Sequence, residues 1–380
     1  MVVSQYVYSR AAGWSSHLQA THEAPEQTLI LIFGSRYLLE QTDWRAGLDL
    51  ICPEGHRVMV STSGEILDTS VTDESLVVTA ITFLHTRLSV VVADTEHAAD
   101  SRTIGHVMGR SLSKPDLQYV MVLSDGQEVN GTQLVAGLTD VLGTSVPITG
   151  GMAGDADRFD KTLVGYNEDP ISGRIISIGF YGTRLVIGHG SVGGWDMFGP
   201  DRIITRSSGN ILHELDGNNA LDLYKTYLGA YAADLPGSAL LFPLNIWPEG
   251  SEMPVTRTIL SVDETHKTMT FAGDMPQHAR TQFMKANFDK LIDGSERAAQ
   301  ESLRGFTDFE PELVLLISCV GRKLILGQRV EEEVEVVREM VGPRAAIAGF
   351  YSYGEISPTG KGLNCELHNQ TMTVTTFRES

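Results

Sequence analysis

Leu29-Ile30-Leu31-Ile32-Phe33 running into Gly34-Ser35-Arg36, followed by a second apolar stretch running into Ser61-Thr62-Ser63-Gly64-Glu65, is the passage from which the fold can be read. A short continuous apolar run ending at glycine reads as a strand buried on both faces. Between the two runs, Trp44, Leu48 and Ile51 recur at helical spacing, and Pro53-Glu54-Gly55 stops the helix. Leu76–Phe83, rich in β-branched residues, supplies a third strand. Strand, helix, strand, glycine-acid turn and strand therefore make one unit.

The unit recurs twice. Tyr119–Leu123 ends at Ser124-Asp125-Gly126, a helix is expected over Gln133–Leu142, and the next strand enters Gly150-Gly151-Met152-Ala153-Gly154-Asp155. Leu313–Ile317 ends at Ser318-Cys319-Val320-Gly321-Arg322, a helix follows over Glu331–Val341, and the next strand enters Tyr351-Ser352-Tyr353-Gly354-Glu355. Ile175–Tyr181 and Met372–Phe377 are the matching third strands. Gly34 to Glu65 and Ser124 to Asp155 are both 31 residues apart, and Ser318 to Glu355 is 37, which leaves room for an insertion. The expected class is α/β: repeated strand-helix-strand units forming a mixed sheet, with an additional α+β module. That module, about residues 185–310, is read from hairpin patterns around Ser208-Gly209-Asn210 and between Val255–Val262 and Thr268–Ala272, with helices over Ala220–Leu228 and from Phe288 to Leu303. Another helix is expected over Ala98–Leu112, and residues 1–26 read as a loosely packed leader.

At 380 residues the chain exceeds what one core usually serves. Its apolar fraction of 42% is that of a globular protein. A net charge of −19 without a Lys/Arg cluster argues against nucleic acid and against an anionic membrane surface. The N-terminus does not read as a secretory signal, and no stretch is apolar for the roughly 18 residues that a membrane span needs. Cys52, Cys319 and Cys365 are widely spaced without a CxxC, which fits a reducing cytoplasm rather than a disulfide framework.

Several stretches together resemble the FIST sensory family: Val60–Ile66, Leu123–Gly126, Gly150–Asp155, Glu214–Gly217, Gly349–Ile356 and Leu367–Thr373. The resemblance implies a FIST N-terminal domain over 27–225 and a FIST C-terminal domain over 226–380, the third α/β repeat lying at about 311–380. It also implies a non-catalytic sensor of small ligands, similar in its stand-alone members to nitric-oxide-sensing haemoproteins. A separate histidine kinase or diguanylate cyclase would be the partner, and oligomerisation stays open.

The residues themselves suggest two kinds of site. Glu65, Asp155 and Glu355 follow glycines at strand ends, where open α/β sheets bind ligands, and are expected to face one cavity. With Ser63, Gly64, Asp125, Gly154, Tyr353, Gly354 and Asn369, they could hold an amine, while Arg322 clamps a carboxylate. That is the chemistry of an amino-acid-like ligand. The plainer reading is that the acids hold their own turns together. Haem, the other ligand considered, needs an axial imidazole. Of eleven histidines, His189, between glycines ahead of Trp195 and Phe198, and then His368 are the candidates. The stand-alone form implied by the resemblance favours haem. An enzyme using Cys319 and His368 is the remaining alternative. No Gly-Lys-Ser/Thr follows the glycine-rich stretch after Gly188, so it is not a phosphate loop, and no metal spacing occurs.

Overall fold

A computed structural model describes residues 1–20, 27–95, 100–235, 237–248, 254–306, 310–359 and 364–380. Three six-stranded mixed sheets are built on one plan. In the first, Thr28–Gly34 lies parallel to His56–Ser61 and antiparallel to Leu76–Thr82, which pairs on its far side with Val2–Ser9. The second sheet repeats this with Leu117–Ser124, Ile148–Met152, Arg174–Tyr181 and Arg87–Asp94. The third uses Leu313–Cys319, Ala346–Ser352, Met372–Glu379 and Leu185–Val192. The parallel strands are joined through helices Arg45–Ile51, Gly131–Leu142 and Glu332–Val341, because parallel neighbours need a crossover.

The expectation of one sheet gives way to three, tied together by exchanged strands. The segment after each glycine-acid turn leaves its own unit. Glu65–Leu67 of the first unit pairs with Ala346–Ser352 of the third, and Val164–Tyr166 of the second pairs with His56–Ser61 of the first. Gly354–Thr359 of the third pairs with Ile148–Met152 of the second, which closes the cycle. Inner faces meet in a shared core of Leu29, Leu31, Phe33, Met121, Leu123, Leu315, Ile317 and Phe350. Outer faces are covered by helices through Trp44 and Leu48, through Met108 and Leu138, and through Val334 and Val337. Burial on both faces is why the central strands read as unbroken apolar runs.

Three equivalent backbone hydrogen bonds align the units: Ser35 N to Ser75 O, Asp125 N to Arg174 O, and Cys319 N to Thr371 O. Gly34, Ser124 and Ser318 lie opposite Ser61, Met152 and Tyr351. Glu65 and Glu355 therefore occupy the same place. Asp155 falls one position short, where Gly64 and Gly354 stand, and the counterpart of the two glutamates in the second unit is Ala156. The equal 31-residue spacing had paired Glu65 with Asp155.

The N-terminal segment is not a loose leader. Val2–Ser9 is paired on both edges, with Leu76–Thr82 and with Gly13–Leu18, while residues 21–26 lie outside the described residues. The helix expected from Ala98 is Ser101–Leu112, capped by Asp100, and Ala98 itself also lies outside them. The additional module is an eight-stranded antiparallel sheet around Ile204, Leu215, Tyr224, Leu244, Phe271 and Phe283. Helix Phe288–Ser302 packs instead against the third mixed sheet.

Candidate functional site

A cavity of about 450 Å³ opens where the three units meet. The first unit lines it with Ser35, Tyr37, Thr62, Ser63, Gly64, Glu65, Asp73 and Glu74; the second contributes the loop Ala156-Asp157-Arg158; the third contributes Val320, Lys323 and Leu324. Strand exchange explains the convergence. Once Glu65–Leu67 joins the third sheet, the turn before it lies against helix Val320–Leu326. Gly64 has φ +138, a backbone conformation that residues with a side chain rarely adopt, and it lies directly beside Lys323 Nζ.

The cations of the cavity are Arg158 and Lys323. Arg158 donates from Nε (2.9 Å) and Nη2 (2.6 Å) to Asp155 Oδ1, and its guanidinium stacks 4.7 Å from the Tyr37 ring. Lys323 Nζ donates to the Ser63 carbonyl at 2.8 Å and pairs with the Asp73 carboxylate. Asp73, Glu74 and Asp157 are exposed along the mouth. The site therefore lines one cavity with groups of both signs, Lys323 paired with Asp73 and Arg158 with Asp155.

The acids named from sequence separate into frame and lining. Glu65 is 1% exposed. Its Oε1 accepts from Thr62 Oγ1 (2.5 Å), and its Oε2 from the N–H (3.1 Å) and hydroxyl (2.8 Å) of Ser75. Burial pushes its carboxyl up to about 7. Glu355 repeats the pattern with Ser352 Oγ (2.7 Å) and with Thr371 N (3.1 Å) and Oγ1 (2.9 Å), and burial raises it to about 8. Asp125 accepts from Gln127 N and Glu128 N, both at 2.7 Å, and from Thr162 Oγ1 at 2.6 Å. Asp155 is fully buried and also accepts from Arg36 Nε at 3.1 Å. So the expectation that Glu65, Asp155 and Glu355 face one cavity does not hold for all three: Glu65 reaches the wall, Asp155 anchors Arg158 from behind it, and Glu355 does not line it.

Other predicted residues are similarly sorted. Ser63 and Gly64 line the cavity. Gly154 brings the second turn against the first, since a Cβ there would lie 2.4 Å from Ser63 Oγ. Tyr353 braces the Ala156–Phe159 loop, donating to Ala156 O (3.2 Å), accepting from Phe159 N (3.0 Å) and stacking on the Phe159 ring at 4.5 Å. Gly354 starts the strand opposite Met152, and Asn369 Nδ2 donates to Tyr353 O at 3.4 Å. Arg322 clamps no ligand. It is fully buried and its donors are spent on Glu333, Ser295 and the carbonyls of Gly193 and Leu291.

The two candidate haem histidines stand away from this cavity. The glycines around His189 are consumed by packing: a Cβ on Gly188 would lie 1.7 Å from Ser302 O, and one on Gly190 would lie 2.1 Å from Ala298 O. That face of the strand is covered by helix Phe288–Ser302, while the His189 side chain alternates to the opposite face with Leu185 and Ile187. His368 is 5% exposed, and its Nε2 donates to Ser357 O at 3.2 Å; burial and the nearby Arg257 press its pKa down to about 4. Neither imidazole lines the cavity. Cys319 is 3% exposed, and burial beside Glu355 pushes its thiol far up, away from a reactive thiolate. Among the described residues no cluster of three or more His, Cys, Asp or Glu could hold a metal, and no helix is long and apolar enough to cross a membrane.

Sequence reading missed Arg158 and Lys323, the two cations that line the cavity. Their signal was adjacency: Arg158 follows Asp155 by three residues, and Lys323 follows Arg322 on the helix after a strand end.

A family model described as the FIST N domain matches residues 28–218, and one described as the FIST C domain matches 220–358. An uncharacterized protein of Methanocaldococcus jannaschii is 25% identical over 219 residues, 51% of this chain, and the chain spans 40% of that relative's length. A chorismatase crystal structure aligns with 100% of this chain and 98% of its own at a TM-score of 0.37 and 10% identity.

Proposed function

The chain belongs to the FIST family, whose members are sensory domains of signal transduction that bind small ligands, and from that premise we propose that it is a cytoplasmic sensor of a zwitterionic, amino-acid-like molecule. The observation that carries this reading is one cavity walled by all three units, with Arg158 and Lys323 on two walls and Asp73, Glu74 and Asp157 at the mouth. A ligand carboxylate would take donors from Arg158 and Lys323, with Lys323 exchanging Asp73 for the ligand, and an ammonium would face the carboxylates so released. The net charge of −19 repels purely anionic ligands, which favours a molecule that also carries a positive group. Occupancy would be passed to a signalling partner such as a histidine kinase or diguanylate cyclase. A binding rather than an enzymatic role is supported by the buried, inert Cys319.

The test is calorimetric titration with a panel of free amino acids and their decarboxylated amines. Arg158→Met or Lys323→Met should each weaken binding of the responding amino acid roughly tenfold to a hundredfold, since each removes a hydrogen bond between charged groups. An amine that binds as tightly as its parent amino acid, or binding indifferent to both substitutions, would remove this reading.

A further inference from the structure

Helix Val320–Leu326 touches both the cavity and the antiparallel module. On the cavity side, Lys323 Nζ is tied to Ser63 O and Asp73 and lies 5.7 Å from the centroid of the Tyr351 ring. On the inner side, Arg322 donates from Nε (2.9 Å) and Nη2 (2.8 Å) to Glu333 Oε2. Its Nη2 also reaches Leu291 O (2.7 Å) and Ser295 Oγ (2.8 Å), and its Nη1 donates to Gly193 O. Glu333 in turn accepts from Tyr351 Oη at 2.7 Å and Ser318 Oγ at 3.1 Å. Tyr351 thus has the cavity lysine over its ring and the Arg322 carboxylate partner at its hydroxyl.

An apolar contact runs beside this polar one. Leu326, at the end of the same helix, packs with Trp195, Met284 and Leu291. Trp195 precedes strand Asp196–Ser208, and Met284 belongs to Arg280–Lys285, its antiparallel neighbour in the module. Trp195 is further held by its Nε1, which donates to Gln370 O at 2.9 Å. A buried guanidinium cannot let go of its carboxylate and carbonyl partners without leaving charge unpaired in the interior. A shift of the helix at Lys323 would therefore be felt at Gly193, through Arg322, and at Trp195 and Met284, through Leu326.

Resting on the ligand reading above, we infer that Val320–Leu326 is the element through which the cavity acts on the antiparallel module. Two states are defined by what Lys323 holds: Asp73, or the ligand. A ligand shifts their balance only through its different affinity for the two, and the exchange at Lys323 is where that difference arises. Arg322 and Leu326 carry the displacement to Gly193 and Trp195, at the start of the module, and to Met284.

Hydrogen exchange of the full chain without ligand tests this. Lys323→Met cuts the tie on the cavity side, while Arg158→Met alters the same cavity from a loop that is not part of the helix. Lys323→Met should change exchange across Asp196–Ser208 and Arg280–Lys285 by a factor on the order of ten, and Arg158→Met should leave those amides unchanged. A response to Lys323→Met confined to the turns at Ser63 and Asp73, or an equal response to both variants, would overturn the inference. Because no ligand is present, failure to find one in the titrations would leave this measurement interpretable. Conversely, a bound amino acid with silent module amides would overturn the coupling and keep the site.

Discussion

The corner around Glu65 and the corner around Glu355 share one frame and differ in what surrounds it. In both, a hydroxyl three residues earlier donates to one carboxylate oxygen, and the N–H and hydroxyl of a single Ser75 or Thr371 serve the other. In both, the residue before that hydroxyl is left-handed, Glu74 at φ 56 and Gln370 at φ 64. The first corner has Tyr37 and Glu74 turned outward around an open cavity. The second has Gly321 in place of Tyr37, and the space is taken by the side chain of Gln370: a Cβ on Gly321 would lie 2.5 Å from its Nε2. Gln370 is fully buried, and neither end of its amide has a hydrogen-bond partner. The buried glutamate is thus a structural device that the fold uses twice, and access for a ligand is decided by the residues beside it.

Removing the frame should have the largest effect. Glu355→Ala leaves two hydroxyls and an N–H without an acceptor in the closed corner, and should cost roughly 3–5 kcal/mol in denaturant unfolding. Glu65→Ala should cost less, because water from the cavity can replace part of what is lost. Equal losses would mean that the two corners are equally dry.

Titration should separate the corners next. Both carboxyls are raised above their ordinary value by burial, so the folded state holds protons that the unfolded chain releases near its ordinary carboxyl range. The sign is that stability from these protons is present at acid pH and is lost as pH rises through about 7 for Glu65 and about 8 for Glu355. Unfolding free energy should fall by on the order of 3 kcal/mol per glutamate between mildly acidic and mildly alkaline buffer. Glu65→Gln and Glu355→Gln should each flatten its own part of the slope. A slope that survives both substitutions would assign the titration elsewhere.

The smallest effect concerns Gln370. Gln370→Leu replaces an amide with no partner by an apolar side chain of similar length, and should leave stability unchanged or raise it by about 1 kcal/mol. A clear loss in thermal unfolding would show that the closed corner contains polar partners for the amide, and the contrast with the open corner would weaken.

Much of the body was legible from local pattern. The apolar runs at Leu29–Phe33, Tyr119–Leu123 and Leu313–Ile317 are central strands because side-chain pattern and strand burial are local properties. The helix around Trp44, Leu48 and Ile51 was visible for the same reason. Counting residues failed where one residue changes the register: Gly34 lies opposite Ser61, 27 positions on, but Ser124 lies opposite Met152, 28 positions on. Asp155 therefore looked equivalent to Glu65 and is not. The site was half legible. Ser63, Gly64 and Glu65 stood in a motif, whereas Arg158 and Lys323 stand in none, and their role depends on which unit comes to face which.

By itself the chain determined its units, their helices and the placing of a carboxylate after glycine at the end of a strand, since all of these follow from periodicity, turn chemistry and steric freedom within short segments. Only the tertiary structure decided that Glu65–Leu67 crosses to the third sheet, that Arg322 turns inward to Glu333, and that Lys323 rather than Arg322 meets the cavity. The reason is physical. Strand exchange joins edges nearly 300 residues apart, and neighbouring cations on one short helix point to different sides, so which is buried depends on the partners that packing brings to each.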